Sequence, residues 1–199
     1  MIERKPAEVV LADGFTVATY REAVAAADRA RLAKFLEDRF LERFLNPVHP
    51  PAWSARNGFT ITAICCLMIE ALETFHAGPA QRKRLKEHLV YEAFFKRRPE
   101  LLDLAPFAIE FYIGIRNGIL HYAQTLAGWR VRRDNSSLFD AKTLTVEADK
   151  FHAAIVIALR ADCQALREAD WNSQLWVNFR QVMDDLCRQA GVRPQRLLN

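Results

Sequence analysis

With 199 residues, 51% of them apolar, the chain can bury a full core as one domain. Its 7 glycines and 8 prolines are too few for the many tight turns of an all-β fold. The 28 basic and 24 acidic residues leave a net charge of +4, which permits a nucleic-acid partner without requiring one.

The N-terminal MIERKPAEVV lacks the long apolar stretch of a signal peptide. Residues 8–19 alternate loosely around Asp13-Gly14, a hairpin signal, so a short hairpin or extended arm is expected over about 1–19. From Tyr20 to Leu45, Leu32, Phe35, Leu36, Phe40, Leu41, Phe44 and Leu45 predict one amphipathic helix of about seven turns. Asn46-Pro47 stops it, and Pro50-Pro51 marks a linker. A second helix starts at Asn57 or Thr60 and runs to His76, with Gly78-Pro79 as its stop. Its longest apolar run, nine residues ending at Glu70, is too short to span a bilayer, and no membrane partner is expected. Glu70 reads either as a solvated carboxylate or as a buried one in need of an arginine.

Residues 80–98 predict a third helix carrying Arg82, Lys83, Arg84, Lys86, Lys96, Arg97 and Arg98. Such a face is ordinarily solvated and attracts phosphate only beside a nucleic-acid site. Phe107 to Trp129 then reads as one helix. Ala108, Phe111, Tyr112, Ile115, Ile119, Tyr122, Ala123 and Leu126 share its apolar face; Glu110, Gly114, Asn117, Gly118, His121, Gln124 and Thr125 share the other. Each glycine inside a helix costs about 1 kcal/mol against Ala. Gly114 and Gly118 therefore imply a close approach by a partner helix or a nucleic-acid backbone.

After Gly128, Trp129 to Arg133 alternates like a strand, and Leu144-Thr145-Val146 supplies another extended piece. An extended element near 129–146 would carry Arg130, Arg132 and Arg133 toward the helix end as RNA-binding candidates. Two helices close the chain, about Val146 to Glu168 and Asn172 to Ala190, the latter capped by Gly191 with Pro194 beyond. Cys65, Cys66, Cys163 and Cys187 form no C-x-x-C and read as reduced thiols in the core of a cytoplasmic protein. The pattern predicts an all-α bundle of five or six helices with a minor β-hairpin or extended element.

No Gly-rich phosphate loop, HExxH, zinc-spaced Cys/His quartet or GxSxG is present, so neither a cofactor nor a metal is expected. What remains is Arg116-Asn117-Gly118-Ile119-Leu120-His121. His moves protons near neutral pH. Arg holds phosphate oxygens, and Asn117 can orient the phosphate or fix the tautomer of His121. Such a set suits RNA cleavage by 2′-hydroxyl attack. Arg116 and His121 lie roughly 140° apart on an ideal helix, so a composite site needs a second copy.

IRNGILHYAQTLAGW resembles the signature of the HEPN superfamily (higher eukaryotes and prokaryotes nucleotide-binding), an Arg followed by a polar residue and, four to six residues on, a His. The order of helices is also similar. The resemblance implies one HEPN-like domain over 1–199 that dimerises through its motif helices, with Gly114 and Gly118 at the interface. Arg116 and His121 would be catalytic, Asn117 would orient the phosphate, and Glu70 and Glu110 would support Arg116. Many members are metal-independent ribonucleases of toxin–antitoxin, phage-defence or RNA-processing systems, which makes an antitoxin or defence-system partner an expectation. Others only bind RNA or nucleotides. One toxin subgroup carries a Tyr two positions after the His. Here that position is Ala123, which argues against pairing with that subgroup's nucleotidyltransferase antitoxin. Two other readings stand beside the ribonuclease: a non-catalytic binding module, and a scaffold in which Arg116 pairs with Glu70 or Glu110.

Overall fold

The computed structural model describes residues 9–48 and 57–190, and its elements are organised around one helix, α4 (Gly58–Ala77). The sequence pattern of this helix predicts a core stripe of Ile61, Ile64, Cys65, Met68, Leu72 and Phe75; all are buried except Ile64, which is half-buried. Cys66 and Ile69 are buried as well, so α4 is enclosed on more than one side. Its 20 residues have the length and composition of a membrane span, but half of that window is buried inside the protein. Around it pack α6 (Glu87–Lys96), α9 (Ala148–Glu168) and α10 (Gln174–Ala190), while α2 (Arg29–Phe40) lies on α9. The fold is an all-α bundle with a minor β component.

The hairpin forms where Asp13-Gly14 placed it. β1 (Val10–Ala12) pairs antiparallel with β2 (Phe15–Thr16), and Gly14 takes the left-handed φ of 63° that the turn needs. Thr16 caps α1 (Val17–Ala25) by accepting from the Thr19 amide. The single helix expected from Tyr20 to Leu45 is broken. Ala27 turns the chain with a φ of 49°, and Asp28 caps α2 by accepting the Arg31 N–H at 3.0 Å. An aspartate that can cap a new helix overrides the helix propensity of the alanines before it. A π-helical turn (Leu41–Leu45) and the short α3 (Asn46–Val48) continue α2; the linker prolines Pro50 and Pro51 lie outside the described residues.

The third predicted helix is also two pieces, α5 (Pro79–Arg84) and α6, split where Leu85 and Lys86 go extended. Its terminal basic residues are not a free cationic face. Arg97 pairs with buried Glu73 of α4, and Arg98, itself buried, pairs with Asp162 of α9. Downstream, β3 (Arg130–Arg132) pairs parallel with β5 (Thr145–Glu147), which pairs antiparallel with β4 (Phe139–Asp140). This small mixed sheet docks by Val131 against Gly58 at the start of α4. α9 and α10 fall where the periodicity put them, each starting two residues later than expected; Gly191 and Pro194 lie outside the described residues.

All four cysteines are buried thiols. Burial pushes Cys66 and Cys163 up to about 12, and Cys65 well above its ordinary value. The folded protein at pH 8 is therefore expected to release almost no colour with a thiol-reactive disulfide reagent at these three sites, and to react fully once denaturant is added. A rapid native-state reaction of two or more thiols would contradict this packing.

Candidate functional site

The motif segment begins in a 3-10 stretch (Pro99–Phe107) and passes through α7 (Ala108–Phe111), a π-helical run (Tyr112–Asn117) and α8 (Gly118–Tyr122). In the π run each turn takes up more residues, so positions beyond Tyr112 rotate away from a wheel drawn at 3.6 per turn. That shift corrects two sequence expectations. Gly114 and Gly118, assigned to the outward face, are buried. Tyr122, assigned to the apolar face, is 68% exposed.

The glycines do serve a close approach, but within this chain. Ala123 ends α8 with a left-handed φ of 53°, and the chain doubles back over the helix it has just left. The Leu126 amide donates to the Gly114 carbonyl at 2.8 Å, and the Gln124 amide to the Gly118 carbonyl at 3.3 Å. A Cβ on Gly114 would overlap the Trp129 indole; one on Gly118 would stand 2.5 Å from the Gln124 carbonyl oxygen. The helix therefore ends at Tyr122, not near Trp129, and the close approach at Gly114 and Gly118 is made by this chain's own return.

Arg116 lies half-buried in a polar cluster. Its Nε donates to Glu70 Oε1 at 2.8 Å and its Nη2 to Oε2 at 3.4 Å. Nη1 donates to Asn117 Oδ1 at 3.1 Å, and the Tyr112 ring lies 5.6 Å from the guanidinium carbon. Burial works against the charge on Arg116, but the hydrogen bond and negative charge of Glu70 outweigh it and hold its pKa above the ordinary value. Arg116 is thus a permanent cation. Glu70, half-buried, is the arginine-paired carboxylate weighed from the sequence. Glu110, the other candidate support, is exposed and takes no part.

Because a guanidinium only donates, Asn117 must turn its amide oxygen to Arg116, which leaves its NH₂ as a donor. Arg116 keeps N–H groups on its terminal edge as well. The cluster can therefore offer donors to an anionic oxygen. His121 is exposed in the last turn of α8, and no hydrogen bond joins it to Arg116, to Asn117 or to any other described residue. Among the described residues no three His, Cys, Asp or Glu side chains converge as a metal site would require.

The three arginines after the motif divide. Arg130 and Arg132 are exposed on one face of β3, with Arg132 only 3.8 Å from Asp134. Arg133 is not available to RNA. Its side chain is 8% exposed, bonded to Asp149 at 2.8 and 3.1 Å and to Asn57. Strand alternation puts it on the side of Val131, facing the protein. One further residue of the cluster escaped the sequence reading. Tyr91, buried on α6, donates to Glu70 Oε1 at 3.1 Å. Its partner is distant in sequence, and the charges around α6 mask its inward face.

No family model, no curated protein and no solved structure matches this chain.

Two substitutions check this geometry. Arg133→Ala should lower unfolding free energy by about 1–3 kcal/mol, since it strands Asp149 and Asn57, while Arg130→Ala and Arg132→Ala stay within about 0.5 kcal/mol. Gly114→Ala should destabilise by about 1–3 kcal/mol through overpacking and alter the near-ultraviolet signal of Trp129. Denaturant titration reads both, and a neutral Gly114→Ala would refute the indole contact.

Proposed function

We propose that this protein is an HEPN-like endoribonuclease that works as a homodimer and needs no metal. The observation that carries the reading is the surface around Arg116. Seven of the nine large apolar side chains exposed among the described residues lie on α4, α6 and the stretch from Pro99 to Tyr122. Ile109, Ile113 and Leu120, each nearly half exposed, flank Arg116 on the motif helix itself. Exposed apolar side chains on the elements that carry the Arg116, Glu70 and Tyr91 cluster are the kind of face a second copy covers. Pairing two motif helices along it would bring the exposed His121 of one copy toward the Arg116 cluster of the other, which the isolated chain does not do.

In this reading the 2′-hydroxyl attacks the adjacent phosphorus and the bond to the 5′ oxygen breaks. The products are a 2′,3′-cyclic phosphate and a 5′-hydroxyl. One His121 takes the proton of the attacking hydroxyl and the other protonates the leaving oxygen. Arg116 and the Asn117 amide hold the anionic oxygens as charge builds. Arg130 and Arg132 attract the RNA backbone. The runner-up is a non-catalytic RNA- or nucleotide-binding module. The Nε edge of Arg116 is already committed to Glu70, and that observation favours the third reading, a scaffold in which this pair is structural.

Purified protein should cut RNA in the presence of EDTA, leave 2′,3′-cyclic phosphate ends, and spare DNA of the same sequence. His121→Ala should lower the rate at least about 100-fold without moving the melting temperature. Ile113→Glu should shift the sedimenting species to monomer and lose cleavage with it. Intact RNA that is nonetheless retained in a mobility shift would favour the binding module.

A further inference from the structure

The Glu70–Arg116 pair does not by itself settle how the guanidinium is turned. The contact from Nη2 to Oε2, at 3.4 Å, is much the longer of the two, so the clamp is lopsided. A carboxylate held mainly through one oxygen is free to rotate about its last torsion, and the arginine would follow it. A third group restrains that rotation. The Tyr91 hydroxyl lies 3.1 Å from the same Glu70 Oε1 and 3.3 Å from the Cys66 carbonyl oxygen, one turn back on α4, and its single proton goes to the nearer and charged acceptor, Oε1. Oε1 thus receives Tyr91 from one side and Arg116 Nε from the other.

Tyr91 is itself immobile. It is fully buried, with ring contacts to Phe95 at 6.0 Å and to Phe111 and Tyr112 at 5.7 Å. Tyr112 in turn packs on the Arg116 guanidinium. Burial, with the charge of Glu70 adding to it, pushes the phenol pKa well above its ordinary value, so the hydroxyl remains a donor throughout the working pH range.

We propose that Tyr91 is a positioning residue for Arg116: its phenol fixes the rotation of the Glu70 carboxylate, and the carboxylate presents the free edge of the guanidinium to a substrate phosphate. The catalytic part of this proposal rests on the ribonuclease reading; the positioning itself does not. Asn117 holds Nη1 in the same arrangement, so the edge is set from both ends.

The test compares the full chain with Tyr91→Phe, Glu70→Gln and the double variant, each checked for an unchanged melting profile. Tyr91→Phe keeps the ring and removes only the hydroxyl. It should lower kcat about 10-fold while KM stays within about 2-fold, the size of a lost hydrogen bond to a charged group. In the Glu70→Gln background the same change should add nothing, because the hydroxyl acts through Glu70. An unchanged kcat, or losses that simply multiply, would overturn the proposal. A second readout needs no activity: proton exchange at Arg116 Nε, followed by nuclear magnetic resonance, should quicken at least about 5-fold in Tyr91→Phe. Wild-type protein that leaves RNA intact would remove the ribonuclease reading alone. The exchange rate would still decide, and an unchanged rate would refute the role of Tyr91.

Discussion

A carboxylate on a buried helix must be paired before the helix can be enclosed, and α4 carries two such groups. Glu70 takes Arg116 from the motif segment, and Glu73 takes Arg97 from the end of α6. Leaving the buried Glu73 unpaired would cost several kcal/mol, and half-buried Glu70 would lose less. The two pairs therefore do more than add stability. They tie neighbouring elements to one side of α4, one turn apart, and determine where the motif segment can lie. Arg98 with Asp162 repeats the arrangement between the end of α6 and α9. Apolar packing supplies most of the driving force for such a bundle, but these pairs select the register in which it closes.

The second constraint is steric. The π run changes the phase of the motif segment, and the returning chain needs room beside it. Gly114 and Gly118 provide that room, and Trp129 fills it, in contact with Phe111 and stacked on Phe139. The small sheet that follows is thereby seated over the motif and beside the start of α4. One result is that Arg130 and Arg132 stay on the outer face while Arg133 is drawn inward. The same geometry leaves His121 at the end of the helix with solvent around it.

Features governed by local chemistry were legible in the sequence. Asp13-Gly14 announced its turn, Gly78-Pro79 ended α4, and the alternation after Trp129 marked β3. The need of Glu70 for an arginine was legible from its position at the end of an apolar run, with Arg116 among the partners considered. What was not legible depended on distance or on phase. Asp28 had to outcompete the helix propensity of the alanines before it. A wheel of fixed pitch could not anticipate a π run, so Gly114, Gly118 and Tyr122 were assigned to the wrong sides. Glu110 was named beside Glu70 as a support, but its exposed side chain takes no part. Arg133 and Tyr91 find their partners only once separate elements meet, and no spacing along the chain encodes either contact.

The two ends of the motif answer to different selective pressures. Arg116 is used by the fold: it neutralises Glu70, packs on Tyr112 and donates to Asn117. Lysine, with one compact ammonium, cannot meet those demands together. His121 makes no hydrogen bond that folding depends on. Under the ribonuclease proposal, a descendant without the chemistry would be free to lose the histidine while still being held to the arginine by Glu70. Across a lineage, the surviving arginine would be a record of architecture, and the histidine the only one of the pair whose presence speaks of use.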